Sequence, residues 1–177
     1  MKRLKKIGVL LLSAIMLLAM SSTVFAATAS YEARLYKTGK FDPQNLDSNL
    51  SMGNAAVLDA EIEQVDNKRY VIEIMFDTDF EAMGFLHGYL KELTLTNGNY
   101  SKVTDGTPAE ALQVNQYSLT KVKAPDSNSS DLVAINKLTL VLGSAPELPL
   151  GMNAKFSSSI WLMPKNVSGD LYILYKK

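Results

Sequence analysis

The sequence predicts an all-β protein, an immunoglobulin-like antiparallel β-sandwich of about eight or nine strands behind an export signal. Three observations carry this. Apolar residues recur with a period of two through most of the chain, which is the spacing of half-buried strands. Turn-forming pairs such as Asp66-Asn67, Asn97-Gly98 and Asp105-Gly106 separate these segments at short intervals, as in two-layer β folds. No long stretch shows the 3.6-residue period of an amphipathic helix.

The first element is the leader, residues 1–27. Lys2, Arg3, Lys5 and Lys6 precede an apolar run from Ile7 to Met20, and Val24 and Ala26 are small residues placed for signal peptidase. Cleavage is expected after Ala26, with Ala29 as the alternative. The 14 residues from Ile7 to Met20 fall short of the roughly 20 that cross a bilayer core. The expected mature chain, residues 28–177, therefore has no membrane span and is secreted, extracellular or cell-wall associated.

Charge and composition then narrow the partners. The whole chain balances 18 basic against 18 acidic residues, and the leader holds four of the basic ones and none of the acidic. The mature domain is thus left with an excess of four acids, which disfavours nucleic acid and anionic lipid. There is no cysteine and one histidine, so zinc or copper sites built on those ligands are not expected. A single domain of this length can bury a sufficient core without metal or disulfide. A small cysteine-free exported chain with a lysine-rich leader points to a Gram-positive bacterium.

The strands follow in order. Tyr31 to Lys37 is the first. Ala56, Leu58, Ala60 and Ile62 lie on one side of the second, with Asp59, Glu61 and Glu63 on the other, the signature of a strand with one wet face. Across Asp66-Asn67, Tyr70, Ile72, Ile74 and Phe76 form the matching apolar side of a hairpin. Further strands are predicted at Gly88 to Thr96, Asn99 to Val103, Gln113 to Lys123, Asn136 to Leu142, Ala154 to Leu162 and Asp170 to Lys176. The last two turns are expected at Gly143 through Gly151 and at Ser168-Gly169. Phe41 to Asn54 breaks the alternation and reads as a loop with a short helical turn, the kind of segment that carries ligand sites on such folds.

The strand Ala33-Arg34-Leu35-Tyr36, the segment Leu50-Ser51-Met52-Gly53-Asn54-Ala55-Ala56, the hairpin through Tyr70 to Phe76 and the stretch from Met83 to Leu93 together resemble a NEAT domain of the clostridial type. The resemblance covers about residues 30–163. It implies a cell-surface β-sandwich of Gram-positive bacteria that captures haem for iron uptake and exchanges it with a haem-carrying protein. In that family haem lies between the helical turn and the last hairpin. The resemblance makes Ser51 the distal contact and Met52 a packing residue on the porphyrin. It also implies a hairpin tyrosine pair four residues apart, with one tyrosine ligating ferric iron. Here the chain departs from the pattern, because Ser144 to Asn153 contains no tyrosine and none occurs from Ser118 through Ser168. Met152 is the hairpin's thioether donor, and its other role is to fill packing gaps. Tyr172 and Tyr175 are three apart.

Other side chains are weighed on their own chemistry. His87 is the only imidazole, and its ordinary role is that of a strand-end residue. Asp77, Asp79 and Glu81 lack the glycine turn and closing glutamate of a calcium loop and read as a solvated hairpin end. Trp161 is a packing residue or a stacking platform. No nucleophile elbow or triad partner set is present, so no enzymatic activity is expected. Two functional classes remain open: haem or a related ligand bound near Ser51, Met52 and Met152, or a cofactor-free adhesion or interaction module that contacts a cell-wall protein.

Overall fold

The clearest element is the hairpin of β2 (Val57–Gln64) and β3 (Tyr70–Phe76), where Ile72, Ile74 and Phe76 alternate into the core as their sequence spacing requires. Asp66 closes its turn by accepting from the N–H groups of Lys68 and Arg69. A computed structural model describes residues 29–95, 99–104, 107–125, 133–160 and 167–176. The leader and Trp161 lie outside them.

The body is an all-β antiparallel sandwich. Its other strands are β1 (Ala29–Lys37), β4 (Phe80–Ala82), β5 (Leu86–Gly88), β6 (Leu90–Leu95), β7 (Asn99–Thr104), β8 (Thr107–Lys123), β9 (Val133–Leu142), β10 (Leu150–Ser158) and β11 (Val167–Tyr175). The main sheet runs β11-β1-β2-β3-β9-β8-β7-β10-β6, and β10 also pairs with β11, so the sheet curls round one core. That core holds Leu35, Ile72, Ile74, Leu138, Leu140, Leu150, Met152, Phe156 and Ile173. No helix of the described residues is long and apolar enough to cross a membrane.

Several local expectations shift. The stretch from Gly88 splits at Tyr89, and a separate hairpin, β4–β5, precedes it. Leu58 is exposed, because a register irregularity between Val57 and Ala60 breaks the alternation there. Ser168 and Gly169 lie inside β11 rather than in a turn. A Cβ on Gly169 would come 2.9 Å from the Tyr36 carbonyl oxygen, so glycine is there for the close approach of β1. Leu150 and Gly151 likewise begin β10 four residues before the predicted strand.

Candidate functional site

The helical turn expected near Asn54 is a short 3-10 segment, Met52–Ala56, capped by Ser51. Each residue of the Ser51-Met52-Gly53-Asn54 run except Met52 has a docking role. The Ser51 N–H donates to the Leu35 carbonyl at 2.8 Å, and its hydroxyl accepts from Gly53 N at 3.4 Å. A Cβ on Gly53 would meet Phe156 Cε2 at 2.6 Å and Leu35 Cδ2 at 3.0 Å, so only glycine lets the turn seat on β1 and β10. Asn54 Oδ1 accepts from Leu35 N at 2.8 Å. Met52 alone points out, 43% exposed.

Met152 lies elsewhere. It is 2% exposed and part of the central core, four residues along β10 from the Phe156 on which Gly53 rests, about 13 Å by strand rise. Ser51 is buried against its own turn, Met52 faces solvent and Met152 faces the core, so the structure does not bring the three to one surface. That donor set does not fit a porphyrin clasped between the turn and Met152. Tyr172 offers no substitute, because its ring is buried and stacked under Phe41; burial, then Asp170 and Tyr36, push its phenol up to about 12. His87 is exposed and pairs with Asp79 at 3.3 Å across the base of the β4–β5 hairpin. Among the described residues no group of three or more His, Cys, Asp or Glu side chains converges as a metal site.

A concave site that the sequence does not announce forms on the outer face of β1 and β11. Side chains there point away from the core: Tyr36 from β1, and Tyr172 and Leu174 from β11. The loop after β1 folds back over them. Its Phe41 ring stacks on Tyr172, with centroids 3.9 Å apart and planes 11° apart, and Tyr36 meets both rings edge-on, at 5.1 and 5.6 Å. Such stacked and edge-to-face pairs add to plain area burial.

Polar ties hold this loop in place. The Tyr36 hydroxyl donates to the Leu46 carbonyl at 2.9 Å, and Arg34 Nη1 donates to the same oxygen at 2.9 Å and to Asp47 at 2.5 Å. Arg34 also pairs with Glu32. Gly39, at a positive φ of 67°, donates its N–H to Asp170 Oδ2 at 2.6 Å. Asp170 is buried, its Oδ1 has no hydrogen-bond partner among the described residues, and burial raises its carboxyl above the ordinary value despite the Gly39 bond.

Between the loop and the strand ends lies a cavity of about 220 Å³ lined by Phe41, Pro43, Leu46, Pro149, Leu174 and Tyr175. The lining is predominantly apolar. Tyr175 stands at its mouth, 68% exposed and tilted against Tyr31 at 5.9 Å. Of these residues only Tyr175 was singled out in the sequence, because the others sit in a loop without periodicity and on strand faces that look solvated until the loop covers them. No known protein family matches this chain, and neither a curated protein nor a solved structure does.

Proposed function

We propose that this chain is a binding module of the cell exterior, without catalysis, that grips one apolar side chain of a partner polypeptide in the pocket between Phe41, Leu46, Pro149 and Tyr175. The observation that carries the reading is the pocket itself, predominantly apolar and built on a stacked aromatic base. Its volume is below the roughly 300–1,000 Å³ of small-molecule and cofactor sites. It suits a single anchor side chain, the unit that dominates protein interfaces. The external location rests on the leader.

The test is a titration with N-acetylphenylalanine amide followed by NMR. Saturable shifts confined to Phe41, Leu46, Leu174 and Tyr175 are expected. Shifts that do not saturate, or that cluster on another face, would overturn the reading.

A further inference from the structure

We propose that the loop from Thr38 to Asn49 is a lid whose closure over β11 depends on the charge of Asp170, the lid opening more often once that carboxylate is ionised. The inference concerns the loop that walls one side of the pocket and does not depend on what the pocket binds.

The loop is built to move as one piece. Its two ends meet, because the Lys37 N–H donates to the Asn49 carbonyl at 3.0 Å and Tyr36 bridges to Leu50. Both ends turn through left-handed backbone, with φ of 67° at Gly39 and 58° at Asn49. Between them the chain bonds to itself: the Gln44 N–H donates to Asp42 Oδ1, the Asn45 N–H to the Asp42 carbonyl and the Ser48 N–H to the Asn45 carbonyl. Compact surface loops with adjoining ends are frequently functional. The ties from this one to the body are Phe41 on Tyr172, the Leu46 carbonyl held by Tyr36 and Arg34, Asp47 on Arg34, and Gly39 on Asp170.

Asp170 is the tie that titrates under cover. The Lys40 N–H closes the turn by donating to the Lys37 carbonyl, which leaves the Gly39 N–H to reach Asp170 Oδ2 at 2.6 Å. Asp170 is 7% exposed, and its Oδ1 has no hydrogen-bond partner among the described residues. A neutral carboxyl tolerates such a site. An ionised one needs both oxygens paired or solvated, and a single loop N–H does not supply that. Opening the lid admits water to both oxygens, so ionisation tilts the balance toward the open form.

The titratable and charged groups on the surrounding elements are Tyr172 on β11, Tyr36 and Lys37 on β1, Lys155 on β10, and Lys40 and Asp42 in the loop. Glu147 stands two residues before the pocket's Pro149. Burial outweighs all of these, with the Gly39 bond next, and holds the carboxyl above its ordinary value. Asp47 acts in the opposite sense, since its pairing with Arg34 strengthens on ionisation.

A pH titration of the purified protein by NMR, from about 3.5 to about 8, tests this by following the Phe41 ring and the Asp170 carboxyl carbon together. The Phe41 resonances should move part of the way toward random-coil positions, and the Phe41–Tyr172 cross-peaks should weaken, in one step above the ordinary aspartate value. That step should coincide with the Asp170 titration, while the core rings of Phe76 and Phe156 stay unmoved. The other ties keep the closed form in the majority on both sides of the step, so the ratio of open to closed rises severalfold and the contact persists. In Asp170→Asn the amide oxygen can still accept from Gly39 but never ionises, and the Phe41 signals should stay at their closed positions throughout. A wild-type Phe41 that does not move, a step displaced from the Asp170 titration, or the same step in Asp170→Asn overturns the proposal. The first two outcomes need only the wild type.

Discussion

The ring of Tyr172 on β11 lies against the bare Cα of Gly151, its registered partner on β10, so closely that a Cβ there would stand 2.5 Å from Cε1 and 2.6 Å from Cζ. Phe41 stacks on the ring, so the floor of the pocket depends on the absence of a side chain at position 151.

Gly151→Ala should therefore act twice. The displaced ring has Phe41 and Tyr36 in its way, and overpacking of this kind costs about 1–3 kcal/mol, readable as a lower urea midpoint. The same variant should bind N-acetylphenylalanine amide more weakly than the wild type at a temperature where both are folded.

Met152 gives a sharper separation of roles. As a core side chain its truncation to alanine should cost about 2–5 kcal/mol. Any spectrum obtained by adding ferric haem to the folded protein should be the same in Met152→Ala as in the wild type, since the sulfur faces the core. A Soret band that depends on Met152 would show that the core opens.

Asp170 predicts a pH dependence whose sign follows from its raised carboxyl. The folded state holds this proton to a higher pH than the unfolded chain, whose carboxyl titrates near 3.8. The stabilising contribution is thus complete below the unfolded value and is lost as pH rises through the folded one. Urea midpoints of the wild type, compared with Asp170→Asn at each pH, should fall relative to the variant as pH rises from about 3.8. Parallel profiles would contradict this.

The 3-10 turn should respond residue by residue. Gly53→Ala meets Phe156 and Leu35 and should cost about 1–3 kcal/mol. Met52→Ala, on the exposed side, should stay within about 0.5 kcal/mol of the wild type. Thermal melts of the two variants separate the docking role of this segment from any ligand role of Met52.

The fold was legible where one face of a strand meets the core. Tyr70 to Phe76 alternate as expected, and the turn after Ser51 falls in the stretch whose pattern breaks. Reading failed where glycine serves close approach instead of a turn, as at Gly151 and Gly169, and where irregular pairing reverses a side chain, as at Leu58. The pocket was hidden for a different reason. Tyr36, Phe41, Tyr172 and Leu174 become one cluster only when β1 pairs with β11, a contact between the two ends of the domain, and when Asp170 draws Gly39 over them. Local spacing carries no trace of either event. Ser51, Gly53 and Asn54 proved readable as a unit, but their geometry shows docking of the turn onto β1 and β10.

The account depends most directly on the loop after β1 being closed over β11, with Phe41 on Tyr172. Nuclear Overhauser contacts between the ring protons of these two residues measure that closure in solution. Strong cross-peaks, with upfield-shifted Phe41 resonances, are the predicted result. Phe41 at random-coil shifts and without contact to Tyr172 would contradict it and remove the pocket.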